Sequence, residues 1–384
     1  MNPIRRFGAL LAIVAAVAVM LFPLASVRAQ ANEESFKAKV VEVLENKTTP
    51  EEEGAALPQQ KLQLQGLSGT WKGKSIIFDG TKYEVMSASR YEVGDVVMVN
   101  VSADADGNKE FFVVDYVRQN SLYWLAALFA LVVVVVGRLK GLRALAVLLL
   151  TFVVIQKFIV PRILAGDNPL VISILGALVI LGIAIYITEG FKRSSTIAIG
   201  SVLLSLIITG LLSIAFTAAA KLTGFASEEA IYLKGLSGVD INVHGLLLAG
   251  IIIGTLGVLD DVIISQVMVV EELKHANRSL TNRTVFAKAM RVGIGHMSAL
   301  VNTLFLAYAG ASLPLLLLFS VREEPFLTFN QVINNDMIAT EIVRTLTGSI
   351  GIVLAVPIAT ALAVKFIKAS KGGDTEVADS THRH

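Results

Sequence analysis

The sequence contains no cysteine. That excludes disulfides, thiolate-held metals and lipid anchors on cysteine. Charge is also scarce: 17% of residues are Asp, Glu, Lys or Arg, against 54% hydrophobic. Such a balance is too apolar for a soluble protein and fits a polytopic membrane protein with a modest water-exposed part. A net charge of +2 offers no general nucleic-acid-binding surface, so no nucleic-acid partner is expected. The five histidines, at 244, 275, 296, 382 and 384, form no HxxxH metal pair. No GxxxxGKS/T segment occurs, so the chain carries no ATP-binding signature. No metal or cofactor is expected.

What is present divides the chain into unlike materials. Arg5 and Arg6 precede an apolar run from Phe7 to Ala25, and SVRAQA follows, with Val27 and Ala29 suited to a cut after Ala29. Residues 1–29 are a signal peptide or, since the run is long enough to span, an uncleaved anchor. Residues 31–119 are polar with short alternating stretches, such as KLQLQGLSG and DVVMVNVSA, separated by turn signals. They predict a small extracytoplasmic antiparallel β-domain, a barrel of the OB or SH3 sort, with a flexible loop at 48–60. Trp71 is expected to pack in its core or rim.

Residues 121–367 predict an all-α transmembrane bundle of about seven helices, near 121–137, 142–160, 169–189, 196–217, 244–270, 292–319 and 342–367. Basic residues crowd 138–143, 192–193, 274–291 and 365–371, and are sparse in the alternate connections. By the positive-inside rule the β-domain lies outside the cell membrane and the C-terminus in the cytoplasm. The tail, 368–384, predicts cytoplasmic disorder. The connection 271–291 mixes charges at helical spacing and predicts a helix-turn-helix.

The unusual span is 244–270, which would run ~40 Å as a helix against a hydrocarbon core of ~30 Å. It contains GTLGVLDDVIISQ, with two adjacent aspartates at membrane depth. A tilted helix fits, and so does one that breaks or packs closely at Gly254 and Gly257. Gly257, Asp261 and Ser265 share a face at i, i+4 and i+8, with Asp260 about 100° round. The next span offers His296, Ser298, Asn302 and Thr303. A hydrogen bond from Asn302 or a pairing with His296 would lower the cost of burying Asp261. The expected ion or substrate path is therefore Asp261, Asp260, Ser265, Gln266, His296 and Asn302. Glu341 and Arg344, at i and i+3, predict an ion pair near the outer surface.

These segments resemble the YibE/F family of bacterial multi-pass membrane proteins. The resemblance rests on RYEVGDVVMVNV, VVVGRLKGLRALAVLLLTF, IVPRILAGDNP, GTLGVLDDVIISQ, VNTLFLAYAGASLPLLLLF and ATEIVRTLTGSIGIVLAVPIAT, and covers roughly 35–366. It places the family's characteristic Gly-Asp-Ser segment on Gly254, Gly257, Asp261 and Ser265. Gln266, Asn302, Glu341 and Arg344 also stand at matching positions. Where one branch of the family carries Arg-Asp before the histidine, Ile294 and Gly295 precede His296 here. The resemblance implies an architecture and names no reaction.

Two functions are open from the sequence. One is a secondary transporter or permease in which Asp261 handles a proton or cation. The other is a non-transporting envelope scaffold, assembly factor or signalling partner acting through the exported β-domain. The partners expected are the lipid bilayer, a small ion or solute or an envelope protein, and a second copy where the glycine faces permit it. An enzyme is not expected. Both aspartates sit on one helix, LGVLDD lacks the GxGD spacing of intramembrane aspartyl proteases, and no serine–histidine or zinc arrangement occurs.

Overall fold

A computed structural model describes residues 34–48, 58–82, 90–103, 109–235, 241–321 and 328–368. The signal or anchor segment 1–29, most of the 48–60 loop, the turn at 104–108 and the tail from 369 lie outside the described residues. The chain forms two compact units that divide between Val136 and Gly137.

The first unit is a five-stranded antiparallel sheet in the order β3-β2-β1-β4-β5. Its strands are β1 (Glu34–Thr48), β2 (Pro58–Gly66), β3 (Ser75–Asp79), β4 (Val96–Ala103) and β5 (Lys109–Tyr116). The period-two pattern sends Phe36, Ala38, Val40, Leu62, Leu64, Ile76, Val97, Val99 and Val101 into one core. Trp71 caps that core, stacked on Phe36 and edge-on to Phe111. Buried Gln60 acts as a backbone substitute: its amide donates to Tyr91 O at 3.0 Å and accepts from Tyr91 N at 2.7 Å. The expected barrel is not closed. β3 and β5 are the sheet edges and share no strand pairing among the described residues. Closure needs a ladder between the first and last strands as well as alternation, and only alternation is local to the sequence. Beyond β5, Arg118 donates to Asp115 at 2.5 Å and holds that carboxyl below its ordinary value.

Among the described residues, six helices are long and apolar enough to cross a membrane by length and composition. The first stretch, Gln119–Leu164, contains α1 (Gln119–Val154), a π-helical turn (Ile155–Ile159) and α2 (Val160–Leu164). α1 is broken at Arg138, at φ 50 and ψ −129, in the basic stretch between the first two expected spans. Then follow α3 (Pro169–Thr188), α4 (Arg193–Ala219), the short α5 (Glu228–Gly235), α6 (Val243–Ala276) and α7 (Asn282–Ala311). The chain continues with α8 (Leu313–Val321), α9 (Phe329–Ile333) and α10 (Asp336–Phe366). The expected span 292–319 thus starts earlier, at Asn282, and stops at Ala311. The expected helix-turn-helix at 271–291 is simply α6 and α7 running on to a short turn near 277–281.

The core of this second unit is the contact between α4 and α10. Ser201, Ser205, Thr209, Ser213 and Thr217 recur every fourth residue and are fully buried. Each hydroxyl donates to the carbonyl four residues back, at 2.7 to 2.9 Å. The polar groups are thereby satisfied within α4 itself. Across from them α10 presents Thr347, Gly351, Ala355, Ala359 and Ala363, all buried. Ser213 donates to Thr347 at 3.3 Å, and a Cβ on Gly351 would run into the Thr209 side chain. Two faces of small residues let the backbones approach closely.

Gly351→Leu is therefore expected to cost more than ~3 kcal/mol and leave little folded protein, because a tightly packed seam cannot take the added volume. Ser205→Ala is expected to stay within ~1 kcal/mol, since the hydroxyl bonds only its own helix. Thermal unfolding of the purified chain in detergent checks both.

Candidate functional site

α6 carries the two aspartates. It starts at Asn242, whose side chain accepts from Gly245 N at 2.9 Å, and is helical from Val243 to Ala276. It passes through Gly254 and Gly257 as one continuous helix. Gly254 is a packing position: a Cβ there would lie 2.9 Å from Tyr308 Oη on α7. Gly257 faces open space, with nothing within 4 Å of an added Cβ.

The helix has two distinct faces. Ile251, Ile252, Thr255, Leu259, Val262, Ile263, Gln266 and Val270 are buried against the bundle. Gly250, Gly254, Gly257, Asp261, Ser265 and Met268 form an exposed stripe on the opposite side. Asp261 and Ser265 thus share a face, and that face looks away from the helix packing. Asp260 is half-buried on the flank. Its Oδ1 accepts from Asp261 N at 2.9 Å, and the Asp261 carboxylate bonds no described residue.

α7 runs antiparallel beside α6. The two meet at Gln266, which reaches Ala289, and again at Gly254, which approaches Tyr308. Asp260 and Asp261 fall between these crossings, opposite the part of α7 that bears His296, Ser298 and Asn302. Those three side chains are exposed. Ser298 donates to Ile294 O at 3.0 Å, whereas His296 and Asn302 bond no described residue. The expected Asp261–Asn302 or Asp261–His296 pair is not formed. His296 and Ser298 stand about 200° apart round α7, so the exposed polar groups do not share one face of that helix.

Gln266 is 3% exposed and lies off the exposed Asp261 stripe. Its Nε2 donates to Ala289 O at 2.9 Å on α7 and to Thr360 Oγ1 at 2.7 Å on α10. A Cβ on Gly293 would collide with it. Gln266 therefore bolts three helices together. Glu341 and Arg344 pair at 2.7 Å along α10, as their spacing implies.

Sequence reasoning missed two sets of residues. The α4 hydroxyls carried a signal, their four-residue spacing, inside a stretch read only for apolarity. Lys274 carried less: its Nζ donates to Val364 O at 2.5 Å and Ile367 O at 2.7 Å, capping the end of α10. A third set lies at the joined ends of α3, α4 and α6. There Ile185, Glu189, Lys192, Ser194, Ser195, Ala198, Ile264, Val267, Met268, Glu271, Glu272 and His275 line a cavity of about 340 Å³. Among the described residues no three His, Asp or Glu side chains cluster to hold a metal ion.

Gln266→Leu is expected to lower the unfolding temperature by several degrees, as ~1–3 kcal/mol of buried hydrogen bonding is lost. Asp261→Asn, at an exposed position without a side-chain partner, is expected to leave it unchanged. Thermal unfolding of the two variants in the same detergent separates the bolt from the exposed stripe.

The family model for YibE/F-like proteins matches residues 125–369. The chain belongs to that family, and its long apolar helices fit a multi-pass membrane protein. No curated protein and no solved structure matches it.

Proposed function

From that membership and the exposed stripe of α6 that carries Asp261, we propose that the chain is a secondary permease of the cell membrane. In this reading Asp261 handles a proton or a cation. The observation that carries it is an aspartate at membrane depth, in GTLGVLDDVIISQ, whose carboxylate no described residue neutralises. A charged carboxylate at the bilayer centre costs about 2.5–3.5 kcal/mol even on permissive scales. A proton or a cation beside Asp261 would offset that cost, and taking one up and releasing it is what a carrier needs. Ser265 on the same face of α6 and Ser298 and Asn302 on α7 would offer oxygens, and Asp260 a second carboxylate on the flank.

The break at Arg138 supports seven crossings. A helix of 46 residues would span ~69 Å, about twice the hydrocarbon core, and a break near its middle gives two spans. An odd number after an exported sheet puts the basic connections and the C-terminus in the cytoplasm, as the positive-inside rule asks. The second reading, an envelope scaffold, is favoured by one observation: the sheet has a hydrophobic core of its own.

Proton and cation flux into proteoliposomes under imposed pH and Na⁺ gradients is the test. The wild-type chain is expected to carry flux, and Asp261→Asn to lose at least tenfold while keeping wild-type folding and insertion. Equal flux in the two would remove Asp261 from the mechanism. No flux in either, together with loss of the cellular role on deleting 31–119, would favour the scaffold.

A further inference from the structure

The cavity at the ends of α3, α4 and α6 touches the Asp261 stripe only at Met268. Its walls carry opposite charges that do not meet. One wall is the start of α4. Lys192 precedes that helix in extended conformation, and no side chain caps its first turn. Ser195 is turned backwards, donating to Gly190 O at 2.6 Å. Ser194 is only 8% exposed, lines the cavity, and bonds no described residue. The free N–H groups of a long helix, a lone hydroxyl and a lysine together make an anion-binding wall.

The other wall is acidic. Glu189 follows the end of α3, and Glu271 and Glu272 project from α6 with His275 one turn on. Lys192 forms no ion pair with any of them. Ile185, Ala198, Ile264, Val267 and Met268 line the apolar remainder. A lone anion would sit against three carboxylates. A lone cation would sit against a helix start and a lysine. A ligand with both charges satisfies both walls, and about 340 Å³ suits a small molecule.

We infer that this cavity binds a small zwitterion, its anionic group on the start of α4 with Ser194 and its ammonium on Glu271 and Glu189. A free amino-alcohol phosphate and the headgroup of an ethanolamine phospholipid share that chemistry. The site stands apart from the transport reading, so binding is measured at equilibrium, without flux.

The full chain is placed in phosphatidylcholine nanodiscs and titrated calorimetrically with phosphoethanolamine, with inorganic phosphate and with ethanolamine. The zwitterion is expected to bind at least ~10-fold more tightly than either half. Glu271→Gln is expected to weaken it ~10-fold or more without changing phosphate binding, and Ser194→Leu to abolish it by filling the cavity. Should Ser194→Leu fail to fold, Glu271→Gln and Glu189→Gln carry the test. Asp261→Asn is expected to bind as wild type.

A lipid arm uses native mass spectrometry of the chain from mixed ethanolamine and choline phospholipids. Retention of the ethanolamine lipid, lost in Glu271→Gln, would assign the site to a headgroup. Binding of free phosphoethanolamine alone would assign it to a solute. The inference falls if phosphate or ethanolamine binds as tightly as the zwitterion, or if Glu271→Gln changes nothing. It falls equally if no free ligand binds and neither lipid is preferred.

Discussion

The helical unit depends on the seam between α4 and α10. Association of helices in lipid has little hydrophobic drive, so close approach of backbones must supply it. Here a column of serine and threonine meets a column of glycine, alanine and threonine, with both columns recurring every fourth residue. Because each α4 hydroxyl is bound to its own helix, the seam is polar in composition and dry in behaviour. α6 packs onto this pair, with Ile252 against Gly210 and Thr255 against Gly348. Gln266 then ties α7, through Ala289, to Thr360 on α10.

That packing explains where the carboxylates are. An interior made of small, mutually satisfied groups has no room and no partner for an aspartate. On α6 the face turned to the seam is therefore aliphatic, interrupted only by Thr255 and Gln266, which are both bonded. Asp261 and Ser265 occupy the side that packing leaves free. α7 joins this assembly through few buried positions, Val285, Ala289, Gly293 and Leu304.

Much of this was legible in the sequence. Alternation in 34–116 gives the strands, and hydropathy gives the long helices, because both signals are periodic and local. Gly257, Asp261 and Ser265 share a face because helical spacing requires it. The losses were of long-range geometry. Barrel closure depends on whether β3 and β5 pair. Of the roles open for Gly254, break or close packing, the approach by Tyr308 is packing, and spacing on α6 alone does not reveal it. Gln266 was placed in the path because it follows the aspartates, yet its ~100° steps from them carry it to the bundle side. The four-residue hydroxyl ladder was fully visible and was obscured by the apolar residues between its rungs.

The last two turns of α6 show how one segment divides its charges. Lys274 turns to the frayed carbonyls of α10, where a cation is favoured by the helix dipole and by otherwise unpaired acceptors. With Lys274 so engaged, Glu271 loses the neighbour that would neutralise it at i+3. The same turn then faces Lys192 and Ser194 at the start of α4 across the cavity. A lysine spent on α10 thus leaves the acidic wall uncompensated. Holding the end of α10 and keeping the cavity charged are consequences of one side-chain choice.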